Sequence, residues 1–596
     1  MTELTDAERR TLEWIVLRFA EEPFDAGVLE RASRGRLTGY EAELGIERLR
    51  GRGIIETRRK AWGETIHTLA PGLLADWQAA FAPRVREAAE MPEGAVEPAY
   101  EPKAGFAKLL LFFVAEAANS GLTLTQKGTF HKKDVQRLSA RIDVVNEELA
   151  GLTVDYLHRD KLDKPLAVLY DAALRLGLLR PGPSAVEPAP ERIAAWLARP
   201  NCVIQEELTA LWWDVYTPAD VWLQHAAAAI RGLPAGRWYS LRRLADALLA
   251  AGVPTGGRTE EEAREAIAAY WAVPMAAFGL LELGACADAP AVRRPEPPRA
   301  DEDDGWYVQP DFDVIVPPTA PFAARWELEA CADYAGGDTV DRYRLTKASW
   351  ERALSRGREP ERLLAALKAH ALYGVPEPVE TALRQWSAAY GAVTLEDVTL
   401  LRCRNANDAA YIRGDAELSA CLIAQLGELD FIVDKSKAKA LADRLQRQGF
   451  SLRQAGERGS APAPRETLEE AAMPEAARRS APSGIVFSRR NAALFPLDPS
   501  PEGTKPLREK LAAVPQAWLR SLRKYHASTT RELLEAAIDV RTKVRLVVDG
   551  REIDFVPKKV APSGADWVAQ GYIDGEEASL TAANCGEAQL LVPEQA

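Results

Sequence analysis

The sequence has few residues of the kinds that bind metals or form disulfides. It contains 6 cysteines and 6 histidines among 596 residues. The cysteines are scattered, without a Cys-x-x-Cys pair or neighbouring histidines, so neither a zinc site nor a disulfide framework is indicated. We interpret them as buried thiols of a cytoplasmic protein, and association with the nucleoid is an alternative location. Neither a metal nor another cofactor is expected.

Long apolar runs are also missing. No stretch of 18 apolar residues is present, which argues against a membrane span, and the charged start MTELTDAERR lacks the apolar core of a signal peptide. The formal net charge is −12, from 75 Lys and Arg against 87 Asp and Glu. This charge argues against a protein that binds nucleic acid over its whole surface, but it does not exclude local basic patches.

The common catalytic motifs are absent. The chain contains no GxxxxGK[ST] loop, and the dipeptide Gly-Lys does not occur. GxGxxG, HExxH and GxSxG are also missing, so no enzymatic activity is expected. Asp311 and Asp313 alternate within QPDFDVIVPP, where they would share one strand face and could hold a divalent metal. No Glu-x-Lys follows on a next strand, which disfavours a nuclease-type metal site.

Helices followed by short strand pairs recur three times, a rhythm typical of winged helices. Later strands are indicated at 398–403 and 429–433, with a closing helix at 435–450. The tail has a hairpin turn at Asp549–Gly550. The predicted fold is a multidomain α+β protein with tandem winged-helix units, a mixed α/β domain and a small C-terminal β-barrel. Its segments are 1–81, 105–200 and 201–298 (winged-helix-like), 82–104 and 456–505 (linkers), 305–455 (mixed α/β) and 506–596 (helix plus β-barrel).

The stretch DRYRLTKASWERALSRG, residues 341–357, concentrates basic side chains in this acidic chain. Alternation predicts a strand that exposes arginines, followed by a helix capped by Thr346 and stopped by Gly357. Trp350 and Leu354 would then be buried. The opposite side would present Arg342, Arg344, Lys347, Arg352 and Arg356. A merely solvated charged face is the alternative interpretation.

A second basic stretch, LTQKGTFHKKDVQRLSARI, covers residues 124–142. A helix here would carry an outward row at every fourth residue and further basic groups at its start. The row is Lys133, Arg137 and Arg141, and the preceding groups are Lys127, His131 and Lys132. Such a row could face phosphates, or it could be a solvated helix. By contrast, the acidic helix TGYEAELGIERLRGRG of the first unit would repel phosphate, which favours a protein-contacting or structural role.

Three stretches together resemble a bacterial helicase-associated family: YVQPDFDVIVPP, DRYRLTKASWERALSRG and GVPEPVETALRQWSAAYGAVTL. These resemble the region beside the motor of XPB-like helicases, over residues 305–455. The resemblance implies a DNA-binding or helicase-accessory part without catalysis, and DNA and an XPB-like helicase as partners. The tail is similar to a WYL module, although Trp567-Val568-Ala569 differs from the naming triplet at two positions.

The residues and the resemblance together predict a non-catalytic protein of DNA repair that binds DNA through local patches and assists a helicase. Two other hypotheses remain open. A winged-helix and WYL-type transcriptional regulator would occupy a few defined promoters. A scaffold would use its winged helices for protein contacts alone.

Overall fold

The computed structural model describes most of the chain and divides it into two compact units. The first comprises Met1–Ser349, Ala365–Pro376 and Ala481–Ala596, and the second Trp350–Leu364 and Glu377–Ser480. Within the described residues, no helix is both long and apolar enough to cross a membrane. The described residues are 4–74, 76, 85–92, 94–99, 104–156, 158–286, 289–296, 305–337, 340–391, 398–450, 452, 484–487, 495–499, 501, 503–563 and 566–593.

The N-terminal region consists of three helices and a hairpin: α1 (Asp6–Phe19), α2 (Ala26–Ser33), α3 (Gly39–Gly51), β1 (Ile55–Arg59) and β2 (Thr65–Leu69). Thr5 and Thr38 begin α1 and α3 with capping boxes, because each threonine and a glutamate three residues later bond reciprocally to backbone N–H groups. The tip of the hairpin lies between Lys60 and Gly63, where the N–H of Gly63 donates to the carbonyl of Lys60 at 2.9 Å. Membership of the winged-helix class stays a prediction.

The central region is mainly helical, with small antiparallel sheets in the orders β4-β7-β6 and β3-β9-β10-β8. Its helices are α4 (Val85–Ala89), α5 (Phe106–Ser120), α6 (Lys132–Ser139), α7 (Lys164–Arg175), α8 (Pro190–Leu197), α9 (Asn201–Tyr216), α10 (Val221–Arg231), α11 (Leu241–Ala250), α12 (Glu260–Ile267) and α13 (Val273–Ala277). Its strands are β3 (Glu97–Pro98), β4 (Leu122–Thr123), β5 (Asp155–Tyr156), β6 (Leu179–Pro181), β7 (Ala185–Pro188), β8 (Trp238–Ser240), β9 (Glu282–Ala285) and β10 (Pro290–Arg293).

The two segments predicted to be separate, 105–200 and 201–298, share one hydrophobic cluster. Trp212 of α9 packs edge-on against Phe106 of α5, with ring centroids 5.9 Å apart. Periodicity identifies buried helix faces but does not say which faces meet. The predicted boundary at residue 200 therefore does not separate two cores.

Part of the predicted linker 82–104 is structured. Ala89 of α4 is fully buried in the central core, and Glu97 of β3 pairs with Ala285 of β9. Strand pairing uses backbone groups, which a Pro- and Glu-rich composition does not reveal. Residues 85–92 and 94–98 are thus attached to the central region that they precede in the chain.

The region that follows contains a four-stranded antiparallel sheet in the order β11-β12-β14-β13. Helix α14 packs against α5 of the central region. The helix predicted after Thr346 is confirmed as α15. The elements are β11 (Tyr307–Val308), β12 (Asp313–Val316), α14 (Phe322–Cys331), β13 (Asp333–Gly337), β14 (Asp341–Arg344), α15 (Lys347–Ser355) and α16 (Pro360–Ala369).

The second unit is a small α/β body with the antiparallel order β15-β17-β16. Phe431 and Val433 of its central strand pack against Leu441 and Leu445 of its last helix. The predicted strands and closing helix are confirmed, and β16 was not anticipated. The elements after α16 are α17 (Glu377–Ala389), β15 (Thr399–Arg402), α18 (Ala406–Gly414), α19 (Ala416–Ser419), β16 (Leu422–Gln425), β17 (Asp430–Val433) and α20 (Ala438–Arg447).

The tail forms an antiparallel sheet in the order β19-β24-β20-β21-β22-β23. Asp549 and Gly550 both have positive φ, as the predicted two-residue turn requires. The elements are β18 (Val486–Phe487), α21 (Lys505–Ala512), α22 (Gln516–Arg520), β19 (Arg523–Lys524), α23 (Ala527–Val540), β20 (Lys543–Val548), β21 (Arg551–Ser563), β22 (Asp566–Ile573), β23 (Glu576–Thr581) and β24 (Cys585–Leu591).

The prediction of a C-terminal β-barrel is wrong for the described residues. A barrel requires its first and last strands to pair, whereas β19 pairs with β24 and β23 pairs with β22. Helix α23 covers the apolar side of the sheet, where Leu533 packs in one cluster with Phe555 and Ala569. The helix buries the apolar side chains that would lie inside a closed barrel.

The acidic helix α3 packs against this tail. Tyr40 and Leu44 belong to the core of the tail, and the N–H of Tyr40 donates to the carbonyl of Arg541. Carboxylates of the N-terminal helices pair with basic groups of the tail: Glu30 with Arg541 and Lys558, Glu41 with Lys543, Glu43 with Arg541 and Glu47 with Arg508. Helix α3 therefore has a structural role within the chain, and contact with another protein stays a prediction.

Two pieces of the predicted linker 456–505 are attached to the first unit. Val486 of β18 pairs with Tyr156 of β5, and its N–H donates to the buried carboxylate of Asp171. The N–H of Asp498 donates to the carbonyl of Thr57 in β1. Residues 484–487 and 495–499 are thus held by backbone pairing. Residues 456–483 of the prediction lie outside the described residues.

Candidate nucleic-acid interface

The strand-to-helix corner at 341–349 has the predicted alternation. Tyr343 and Leu345 are buried, whereas Arg342 and Arg344 are exposed. Thr346 caps α15, because its hydroxyl accepts from the N–H of Ser349 at 3.0 Å while the Ser349 hydroxyl accepts from the N–H of Thr346 at 3.0 Å. The two arginines therefore project from a strand that is fixed at its end by a reciprocal cap.

A buried carboxylate anchors the start of this strand. Asp341 is 1% exposed and accepts from Lys108 Nζ at 2.9 Å, from the Arg325 guanidinium and from the Tyr334 hydroxyl at 3.1 Å. Burial by itself would raise the pKa of Asp341, but the neighbouring Arg325 and Lys108 hold that pKa below its ordinary value. Asp341 is consequently charged at neutral pH and ties β14 to α5 and α14.

A second buried charge pair fixes Arg141. Its two terminal nitrogens donate to the two carboxylate oxygens of Glu329, both at 2.8 Å, and Tyr343 donates to the same carboxylate at 2.7 Å. The guanidinium also lies over the ring of Phe112, 4.5 Å from its centroid. Burial would lower the pKa of Arg141, but Glu329 outweighs it and raises that pKa above the ordinary value.

The predicted outward row of Lys133, Arg137 and Arg141 is therefore wrong in its geometry. Helix α6 ends at Ser139, so Arg141 lies beyond the helix and turns towards Glu329. Arg137 pairs with Glu116 and Asp134 and donates to the carbonyl of Gly121 at 2.9 Å. Both arginines are used within the protein, so we do not assign them to a DNA-facing surface.

The other basic groups of this stretch are exposed. The structure places Lys127, His131, Lys132 and Lys133 at the surface around the start of α6. Asp134, the carboxylate nearest in sequence, is buried and accepts from the N–H and the hydroxyl of Thr123 at 3.0 and 2.8 Å. The amino end of α6 is accordingly a small basic surface.

One face of the four-stranded sheet combines arginines with aromatic side chains. Directly opposed residues on neighbouring strands share a face, and Arg342 opposes Ile315, which in turn opposes Tyr307. In the next row Arg344 lies between Asp313 and Asp333, and it forms an ion pair with Asp313 at 3.4 Å. We call Tyr307, Ile315, Arg342, Arg344 and the adjacent Tyr373 the sheet face.

Two members of the sheet face were not identified from the sequence. Tyr307 packs on Tyr373 with ring centroids 5.6 Å apart and an interplanar angle of 37°. The two residues lie on separate elements, and Tyr373 belongs to a turn after α16 without an apolar period. Alternation along a strand would have predicted that Tyr307 faces outward. No neighbouring residue in the sequence indicates that it contacts Tyr373.

Arg352 and Arg356 belong to the second unit and are exposed. Trp350 and Ala353 of the same helix are fully buried, and Trp350 Nε1 donates to the Ser387 hydroxyl at 2.9 Å. Gly357 has a φ of 79° and ends the helical segment. The predicted division of α15 into an apolar and a basic side is confirmed within this unit. Lys347, in the first unit, is also exposed.

The two carboxylates weighed as a metal pair do not share a strand face. Asp311 lies in a turn, because Phe312 has a φ of 72° and β12 begins only at Asp313. The positive φ breaks the alternation on which the pairing depended. No group of three or more His, Cys, Asp or Glu residues suited to a metal occurs within the described ranges.

Residues 306–427 match the family model described as the helicase conserved C-terminal domain. The match covers the sheet face, the strand-to-helix corner and part of the second unit. A search among curated proteins finds no match to the chain. The protein therefore contains a helicase-associated region, and the basic corner singled out from the sequence lies inside it.

Proposed function

We propose that this protein is a non-catalytic DNA-binding accessory of a helicase. The observation that carries the proposal is the exposed pair Arg342 and Arg344, displayed by a rigid strand inside the region that matches a helicase C-terminal domain. The buried carboxylate of Asp341 at the start of the strand and the helix cap after its end hold the backbone of the pair in place. A backbone held in place lowers the conformational entropy that is lost when the two arginines bind phosphate.

The proposed DNA contacts are the exposed members of the two predicted patches, taken for each unit by itself. In the first unit these are Lys127, His131, Lys132, Lys133, Arg342, Arg344 and Lys347, and in the second unit Arg352 and Arg356. The net charge of −12 restricts phosphate contact to such patches. We accordingly expect modest affinity that falls steeply with salt. The XPB-like character of the partner helicase and the WYL-like character of the tail belong to this proposal.

The proposal excludes ATP hydrolysis by this chain. The sequence has no loop of the GxxxxGK[ST] type to hold a triphosphate. Purified protein should show no ATP turnover above buffer, with or without DNA. DNA-stimulated turnover that co-elutes with the protein and persists after further purification would contradict the proposal.

Fluorescence anisotropy with labelled DNA of one sequence tests the binding function. Duplex, forked and single-stranded forms are titrated at about 50 mM salt, where phosphate contacts are strongest. We expect binding to at least one form, and weaker binding by Arg342→Glu/Arg344→Glu. Arg344 pairs with Asp313, whose side chain is only 14% exposed. Arg342→Glu alone leaves this pair intact, so it is the variant whose weaker binding is not caused by loss of folding. Absence of binding to all three forms would overturn the proposal.

A protein-interaction scaffold is the second candidate, and one observation favours it. The carboxylates of the N-terminal helices already pair with cations of the tail, such as Glu30 with Lys558 and Arg541. The tail cations named in those pairs are thus partly neutralised. A scaffold would bind a helicase in the absence of DNA, and would fail the anisotropy test.

A further inference from the structure

We propose that Tyr307 and Tyr373 form a stacking site for an unpaired base of single-stranded DNA, with Arg342 binding the backbone phosphate beside it. The inference rests on the proposed DNA-binding function and names the form of DNA that the sheet face takes. It adds two aromatic residues to a surface that the sequence predicted from charge alone.

The aromatic rings are unusually accessible. The side chain of Tyr373 is 89% exposed and Tyr307 is 40% exposed, although the two rings contact each other. Leu372, the residue before Tyr373, is 46% exposed. Exposed apolar surface next to charged groups marks interaction sites in soluble proteins, and a tyrosine ring offers a flat face at a low cost in conformational entropy.

The backbone beneath the rings is firmly held. Trp306 is fully buried, and its Nε1 donates to the carbonyl of Leu367 at 3.1 Å. Its backbone exchanges hydrogen bonds with the 370–372 segment, from Trp306 N to His370 O at 2.7 Å and from Leu372 N to Trp306 O at 3.0 Å. Tyr307 and Tyr373 each follow an anchored residue, so the stacking surface exists before the ligand arrives.

Arg342 supplies a complementary charge on the same face. Ile315 lies between it and Tyr307, so their Cα atoms are about two strand spacings, or roughly 10 Å, apart. Asp313 pairs with Arg344 in the next row, and Arg342 has no ion pair among the described residues. A nucleotide whose base lies on the tyrosines can thus direct its phosphate towards Arg342 across the small apolar surface of Ile315.

The accessible face of the rings selects unpaired bases. In a duplex both faces of each internal base are stacked and cannot meet a protein ring, whereas single strands and flipped bases expose them. Stacking is tolerant of sequence because every base has a π-face. The sheet face should therefore bind single-stranded DNA with little base preference and should not engage an intact duplex through its tyrosines.

The test uses the full chain and a single-stranded oligonucleotide that carries 2-aminopurine, whose fluorescence falls when the base stacks. Two variants remove a ring, Tyr307→Ala and Tyr373→Ala, and two keep it, Tyr307→Phe and Tyr373→Phe. The matched control is Tyr270→Ala, because Tyr270 is 39% exposed and lies on another element of the first unit. Tyr373→Ala should weaken single-strand binding by roughly 10-fold or more, the equivalent of one base stack.

The expected pattern is specific. The phenylalanine variants and Tyr270→Ala should retain quenching and single-strand affinity, and duplex affinity should stay within about 2-fold in all variants. Single-strand affinity and quenching unchanged by both alanine substitutions, in protein that still binds DNA, would overturn the stacking site and leave the proposed function standing. Failure of the unmodified protein to bind any DNA would overturn both.

Discussion

Replacing Arg141 with methionine should destabilise the first unit without a direct effect on DNA binding. The substitution keeps an unbranched apolar stem but removes the guanidinium that donates to both oxygens of Glu329 at 2.8 Å. The side chain of Glu329 is only 3% exposed. Without the guanidinium its carboxylate would stay buried, and of the donors described above only the Tyr343 hydroxyl would remain. Removing one partner of a buried ion pair costs about 3–5 kcal/mol.

Urea-induced unfolding followed by tryptophan fluorescence measures this loss as a lower transition midpoint. Lys133→Met is the matched control, because Lys133 is exposed on the same basic stretch and should change the unfolding free energy by no more than about 0.5 kcal/mol. Glu329→Gln should restore part of the stability in the double variant, since it removes the unpaired charge. Equal stability of Arg141→Met and Lys133→Met would refute the reasoning, and loss of DNA affinity by a fully stable Arg141→Met would return Arg141 to the binding surface.

Three further outcomes follow from buried contacts. Gly484→Ala should release β18, because the Cβ of the alanine would lie 1.9 Å from Asp171 Oδ1. We expect faster limited proteolysis near residue 484, and unchanged cleavage would contradict this. Burial lowers the pKa of His225 to about 4, whereas the imidazole of the unfolded chain takes up a proton near pH 6.5. The free energy of unfolding should therefore be highest above pH 6.5 and should fall by about 1.4 kcal/mol for each pH unit as the pH is lowered from 6.5 to 4. His225→Gln should flatten that part of the stability profile, and an unaltered profile would refute the assignment. Trp350→Ala should cost roughly 3–5 kcal/mol in urea unfolding, because the indole is fully buried, and a loss below about 1 kcal/mol would contradict its anchoring role.

Local signals in the sequence predicted the basic corner correctly. The alternation around Tyr343, the cap at Thr346 and the stop at Gly357 each depend on residues within a few positions, and all three occur in the structure. The turn at Asp549–Gly550 is a similar case. Such features depend on backbone preferences that neighbouring residues determine.

The parts that were wrong or missed depend on distant partners. Arg141 was placed on an outward helix face, but its partner Glu329 lies 188 residues away. Tyr307 meets Tyr373 only because the segment after α16 bonds to the edge of the sheet at Trp306. The tail sheet is buried by α23 and does not close into a barrel, which likewise depends on tertiary contacts. Periodicity cannot supply these pairings, because it describes one element at a time.

The salt dependence of single-strand binding tests the proposed DNA contact most directly. Affinity is measured by anisotropy between about 50 and 200 mM salt for the unmodified protein, Arg342→Glu and Arg551→Glu, an exposed arginine of the tail with the same change in charge. We expect log affinity to fall linearly with log salt, and Arg342→Glu to reduce the slope by about 0.7, the value for one lost phosphate contact on a single strand. Arg551→Glu should leave the slope unchanged. Equal affinities and slopes for the two variants would contradict the assignment of Arg342 to a DNA-binding surface.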